Sequence, residues 1–96
     1  MKLILFVFHA DKEEMLHKLL NTHLDTGFTT WGPVFGKGRR SEPRMGTQIW
    51  PGENQMLMIA LSDHEAEILK ETVQSLTETP HGGGIKVFEL SAHQWL

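Results

Sequence analysis

The chain has 96 residues, of which 40% are hydrophobic and 22% charged, with a formal net charge of −3. This length provides one domain with a single core over residues 1–96, and the slight acidity argues against a general nucleic-acid binder. The absence of cysteine excludes disulfides and thiolate metal sites, and no apolar run approaches the roughly 18 residues that span a bilayer. A cytoplasmic location is the default expectation.

The first half of the chain predicts a strand, a helix and a second strand. Residues 2–10, KLILFVFHA, are an almost unbroken apolar run, typical of a strand buried on both faces. A helix follows, for which we predict Asp11 as N-cap with Glu14 three residues later in a capping box. Residues 28–36, FTTWGPVFG, predict a strand interrupted at Gly32-Pro33, which favours an edge position or a bulge.

The middle of the chain predicts a long loop. Residues 37–53 contain three glycines and two prolines and show no sustained periodicity. A loop of this length in a small domain is usually functional or disordered. Four of the nine cations fall within eight residues of this region, so the basic segment is a local feature of an acidic chain. These cations are Lys37, Arg39, Arg40 and Arg44.

The second half repeats the plan of the first. Residues 54–62 are a second apolar strand, and Ser62 and Glu65 form a capping box before a helix that extends to about Thr79. Residues 85–90 alternate as a final strand. The order strand, helix, strand, strand, helix, strand predicts an α+β, ferredoxin-like βαββαβ fold, with a four-stranded antiparallel sheet and two helices on one face.

The apolar strands also predict self-association. The two apolar runs occupy the central strands of this plan and offer apolar side chains to both faces of the sheet. Two helices can cover only one face, and an uncovered apolar face of that size marks an interaction surface. We therefore expect a homo-oligomer in which sheets pack against each other.

Two glycine-rich segments fall in loops of this plan, at residues 36–42 (GKGRRSE) and 82–86 (GGGIK). With these segments the chain resembles the PII family of signalling proteins, and more closely its divergent PII-like branch. The first segment is similar to the family pattern Gly-x-Gly-Arg-Gln-x-Gly before the flexible T-loop, and the second to the B-loop pattern Gly-Asp-Gly-Lys-Ile. The resemblance implies a single PII-like domain over residues 1–96 and a sheet-to-sheet homotrimer.

Glycines allow backbone N–H groups to curve around an anion, and adjacent cations supply charge to phosphate oxygens. The resemblance implies that an adenine nucleotide (ATP, ADP or AMP) binds in clefts between subunits. The alternative, that both segments are solvated turns, stays open. The candidate nucleotide-binding residues are Gly36, Lys37, Gly38, Arg39, Arg40, Gly82, Gly83, Gly84 and Lys86.

The chain departs from the family pattern at several positions. Ile85 takes the place of the B-loop lysine, and a one-residue shift in a strand turns Lys86 to the opposite face, which makes it a poor substitute. The family glutamine that helps to hold magnesium and 2-oxoglutarate is replaced by Arg40. Because the chain has no tyrosine, it lacks the uridylylated tyrosine of nitrogen-regulating members. We expect a PII-like trimer with an altered or lost ligand.

The resemblance implies that the 37–53 loop changes conformation with ligand and docks onto a partner protein, such as a membrane transporter or an enzyme. No coherent set of acid, base and nucleophile emerges, so we do not expect an enzyme. The rival hypothesis is a divalent-metal-binding trimer, similar to the CutA proteins, in which trimer symmetry assembles histidines. The candidate metal ligands are His9, His81 and His93.

Overall fold

The computed structural model of the chain describes residues 1–23, 26–39, 42–79 and 83–96. Four strands form one antiparallel sheet in the order β2-β3-β1-β4, and two helices pack on one of its faces. This is the predicted ferredoxin-like α+β fold. The elements are β1 (Lys2–His9), α1 (Glu13–His23), β2 (Thr29–Val34), β3 (Asn54–Leu61), α2 (Asp63–Thr77) and β4 (Ile85–Ser91).

The core lies between the two helices and the central strands β1 and β3. Alternate residues of these strands point toward the helices, because successive side chains of a strand face opposite ways. Each fully buried Leu, Ile or Phe stabilises the fold by about 1.5–3 kcal/mol relative to its exposed state. The buried residues are Ile4, Phe6, Phe8, Leu16, Leu20, Leu57, Ile59, Leu61, Ala66 and Leu69.

The first helix begins differently from the prediction. A 3-10 turn over Ala10–Lys12 precedes α1, and its N-cap is His9. The Nδ1 atom of His9 accepts a hydrogen bond from the backbone N–H of Asp11 at 3.2 Å, and it lies 2.8 Å from the carboxylate Oδ1 of Asp11. The predicted N-cap at Asp11 is therefore wrong, since the last residue of β1 already places an acceptor over the first turn.

The capping box at the start of α2 is confirmed. The backbone N–H of Ser62 donates to Oε1 of Glu65 at 3.1 Å, and the backbone N–H of Glu65 donates to Oγ of Ser62 at 3.2 Å. The hydrogen bond from the Ser62 backbone lowers the pKa of Glu65 below its ordinary value of 4.5, because the bond favours the ionised carboxylate. The helix ends at Thr77, two residues before the predicted end.

Strand β2 lies at the edge of the sheet, as the Gly-Pro interruption predicts. The peptide bond between Gly32 and Pro33 is cis, and the pairing of β2 with β3 shifts register between Trp31 and Val34. A Cβ atom at Gly32 would stand 2.9 Å from Cγ of Gln55. Glycine therefore allows the irregular part of β2 to approach β3 closely.

The sheet face away from the helices is apolar and uncovered. Leu3, Leu5 and Val7 of β1 lie on this face, where most of their partners across the ladder in β3 and β4 are also apolar. Phe88 and Leu90 of β4 are 52% and 45% exposed there. This confirms the expectation of an uncovered apolar face. Within the described parts of the chain, no helix is long and apolar enough to cross a membrane.

Candidate functional site

Two backbone hydrogen bonds join Gly36 to Arg44 and so close the first part of the 37–53 loop, which we call the loop base. The N–H of Gly36 donates to the carbonyl of Arg44 at 2.9 Å, and the N–H of Arg44 donates to the carbonyl of Gly36 at 2.7 Å. The Gly36 N–H is therefore committed to the loop base and does not face an anion as a free donor.

Beyond this bridge the loop folds back on itself. The N–H of Gly46 donates to the carbonyl of Gly52 at 3.0 Å, and that of Met45 donates to the carbonyl of Trp50 at 3.2 Å. Gly46 and Gly52 have φ values of +67° and +96°, a region that glycine reaches without a steric penalty. The part of the loop described over residues 42–53 is thus a compact turn with no helix or strand of its own.

A cavity of about 440 Å³ lies at the end of the sheet where β1 ends and β3 and β4 begin. It brings the two glycine-rich segments together: Gly36, Lys37 and Gly38 line one side, and Gly84 and Lys86 line the other. Its volume falls in the range of about 300–1,000 Å³ of small-molecule sites. The remaining lining residues are Val7, Val34, Phe35, Arg44, Asn54, Met56 and Ile85.

Arg44 links the two sides of this cavity. Its Nη1 donates to Oδ1 of Asn54 at 2.9 Å, and its Nη2 would lie 3.8 Å from a Cβ atom at Gly84. The guanidinium therefore lies between the loop base and the start of β4. The sequence predicts Arg44 in the basic cluster but not in the site, because its pairing with Gly36 is a cross-loop contact that residue spacing does not show.

Lys86 enters the cavity because of its position in β4. Lys86 pairs with Val7 on the uncovered face of the sheet, whereas Ile85 pairs with Phe8 and packs against the core. The one-residue shift does turn Lys86 to the face opposite Ile85, as the strand period requires. That face also carries Val7 and Met56, which line the cavity.

Two further predicted residues lie outside this cavity. Arg39 and Gly83 are described and exposed, and neither lines the cavity. Arg40 and Gly82 lie outside the described residues, as does His81 among the metal candidates.

The charge of the cavity favours an anion. Its described lining contains three cations, Lys37, Arg44 and Lys86, and no carboxylate. Like charges that converge on a partly enclosed space raise the local concentration of counter-ions. A guanidinium fork and two ammonium groups match the several oxygens of a phosphate. The apolar walls at Val34, Phe35 and Met56 suit a flat ring attached to such a group.

The two metal candidates that the structure describes, His9 and His93, do not come together in one subunit. His9 ends β1, where a Cβ atom at Gly52 would stand 3.2 Å from its Nε2. His93 follows β4 at the other end of the sheet, where the N–H of Ala92 donates to the carbonyl of Met1. At about 3.3 Å per residue, β1 separates these ends by roughly 25 Å. Among the described residues, no group of three His, Asp or Glu side chains could hold a metal ion.

Comparison with known proteins identifies relatives of this fold. The model of the family "Nitrogen regulatory protein P-II" matches residues 1–95. CPII from Thiomonas intermedia K12, solved with ADP and bicarbonate, has a TM-score of 0.69 and 22% identity, covering 93% of this chain and 84% of CPII. CPII solved with ADP, AMP and bicarbonate has a TM-score of 0.68 and 20% identity, covering 99% and 94%.

A PII-like signalling protein from Thermus thermophilus has a TM-score of 0.63 and 22% identity, covering 93% of this chain and 83% of that protein. No curated protein has significant sequence similarity to the chain. At these identities, the structural likeness shows a shared fold.

Proposed function

Because this chain belongs to the nitrogen regulatory protein P-II family, we propose that it is a PII-like signalling protein that binds an adenine nucleotide and regulates a partner protein through the 37–53 loop. The observation that carries the proposal is the cavity in which the two glycine-rich segments meet around Arg44. CPII, a protein of the same fold, was solved with ADP and with AMP, which supports the nucleotide class.

The phosphates would lie against the three cations of the cavity. Lys37, Arg44 and Lys86 supply charge and donors, and charge-assisted hydrogen bonds to phosphate are the strong ones. The glycine at position 84, with φ +80°, lets the backbone turn close to the ligand without a side chain. The base would pack on the apolar wall of Phe35 and Met56.

We place this site in a homotrimer whose uncovered sheet faces point inward. The apolar face with Phe88 and Leu90 supplies the interface, and the cavity, at the end of that face, would be completed by a neighbouring subunit. We also propose that the protein is not an enzyme and acts in the cytoplasm, which its family membership supports.

The 37–53 loop would respond to ligand binding in the cavity through Arg44. Its backbone closes the loop base, while its guanidinium lies at the cavity, so a phosphate that binds the side chain acts on the residue that holds the loop. The folded turn beyond it presents Ile49, which is 79% exposed, beside Trp50 and Met45. A partner such as a membrane transporter or an enzyme would contact this apolar tip.

The test is isothermal titration calorimetry of the purified protein against ATP, ADP and AMP, with Lys86→Met as the site variant. Lys18→Met is the matched control, because Lys18 is an exposed lysine of α1 that pairs only with Glu14 at 3.7 Å among the described residues. We expect saturable binding that Lys86→Met weakens by about tenfold or more, the loss of one charge-assisted hydrogen bond.

Lys18→Met should bind like the unmodified protein. The absence of saturable heat with all three nucleotides, or equal affinities of the two variants, would remove the nucleotide from this cavity.

A further inference from the structure

A second cavity, of about 370 Å³, lies on the helix-covered side of the sheet between α2 and β4. The helices cover the central strands but leave β4 partly open, and Val87 on this side of β4 is 36% exposed. The floor of the cavity is apolar and consists of Ile4, Ala66, Leu69, Val73, Leu76, Ile85 and Val87.

Three polar residues border this floor. Lys70 and Gln74 lie one turn apart on α2, so they share one side of the helix, and Glu89 belongs to β4 on the opposite wall. Within the described chain, Lys70 and Glu89 form no ion pair with each other or with other side chains. The cavity therefore presents one positive and one negative group, on opposite walls, above an apolar surface.

We propose that this cavity binds a small zwitterion with an apolar side chain, the chemistry of an α-amino acid such as leucine. The ammonium group would pair with Glu89 and the carboxylate with Lys70, where the Gln74 amide also lies within the lining. The side chain would cover Val73 and Val87. Small-molecule sites combine such an apolar surface with a few polar groups that fix orientation.

Other ligand chemistries fit the cavity less well. A phosphate would meet a single cation and be repelled by Glu89. A wholly apolar molecule would contact the floor of the cavity but would pair with neither charged group. A zwitterion pairs with both charged groups. The cavity would be selective because its ligand must carry a positive and a negative group at the same time.

This site differs from the proposed nucleotide site. The two cavities lie on opposite faces of the sheet and share only Ile85 in their linings. Leucine binding and nucleotide binding can thus succeed or fail separately, and Lys86→Met is expected to leave leucine binding unchanged.

The test is calorimetric titration of the full protein with L-leucine, 4-methylpentanoate and isoamylamine. The second compound lacks the ammonium group and the third lacks the carboxylate, so each is expected to bind at least about tenfold more weakly than leucine, one charged contact being worth about 1.4 kcal/mol or more. Comparable affinity for either analogue, or no saturable binding of leucine, would overturn the proposal.

Substitutions of the two charged residues test whether each of them contacts leucine. Glu89→Gln and Lys70→Met are each expected to weaken leucine binding about tenfold, whereas the exposed Glu67 of α2 provides the control Glu67→Gln, expected to bind like the unmodified protein. Light scattering of the same samples gives their mass. If Glu89→Gln changes the oligomeric mass, or if Glu67→Gln loses as much leucine affinity as Glu89→Gln does, the cavity is not a leucine site and the proposal is wrong.

Discussion

Three described glycines near the proposed nucleotide cavity differ in their structural roles. Gly36 pairs its backbone with Arg44 and closes the loop. Gly84 adopts φ +80° at the turn into β4, a conformation that costs other residues about 1–2 kcal/mol. Gly83 has neither a positive φ nor any atom within 4 Å of a Cβ position. Only the first two are required by the fold that the structure describes.

These differences predict opposite results for two neighbouring substitutions. Gly84→Ala should lower the free energy of unfolding by about 1–2 kcal/mol, since alanine is strained at this φ, while Gly83→Ala should change it by less than about 0.5 kcal/mol. Urea unfolding followed by tryptophan fluorescence measures both. Equal effects of the two variants would contradict the left-handed backbone conformation of Gly84.

The cations of the cavity show which residues sequence reasoning can find. Lys37 was predicted from its glycine neighbours, because the signal is contiguous in the chain. Arg44 was not, since its place depends on the bridge to Gly36 and the hydrogen bond to Asn54. Lys86 was predicted to point away from the ligand. The alternation of side chains along a strand shows that Lys86 and Ile85 face opposite ways, but it does not show which face carries the cavity.

At the scale of elements, the two helix starts contrast. The capping box of α2 was predicted correctly because Ser62 and Glu65 are three residues apart and interact without help from elsewhere. The start of α1 was predicted wrongly because His9, a strand residue, caps the preceding 3-10 turn. A local motif is decisive only where no neighbouring element supplies a competing acceptor.

The capping box gives a matched pair of serine variants. Ser62→Ala should lower the free energy of unfolding by about 1 kcal/mol, because the N–H of Glu65 loses its acceptor. Ser75 also carries a hydroxyl hydrogen bond, to the carbonyl of Glu71 at 3.1 Å, but such back-bonding inside a helix does not stabilise it.

Ser75→Ala is therefore expected to change stability by less than about 0.5 kcal/mol. Thermal and urea unfolding of the two variants would check the pair, and a loss at position 75 as large as that at position 62 would contradict the assigned role of the cap.

At the scale of the whole molecule, the sheet has one face covered by helices and one face free. Leu3 and Leu5 on the free face continue into Phe88 and Leu90 of β4. The apolar side chains of β1 and β3 point to both faces of the sheet, but the two helices of a single chain cover only one of these faces. This imbalance is the physical reason for the proposed trimer.

One charge on the free face should prevent this assembly. Phe88→Glu places a carboxylate where the proposed interface excludes water, so we expect light scattering to show monomers in place of trimers. Phe88 is 52% exposed in the single chain, and the monomer should still fold. Ile68→Glu is the control, since Ile68 is a similarly exposed apolar residue, at 42%, on the helix side. A Phe88→Glu trimer would rule out this face as the interface.

The sequence alone determined the order of the elements, the edge position of β2, the capping box of α2 and the presence of an apolar face without cover. Each of these features depends on periodicity or on residues a few positions apart, and such local patterns can be recognised without knowledge of the fold. The tertiary structure decided which cations converge, because Arg44 and Lys86 are 42 positions apart in the chain and meet only through sheet register and the loop bridge. It also decided the second cavity, since Lys70 of α2 and Glu89 of β4 line the same cavity only because α2 leaves β4 partly uncovered.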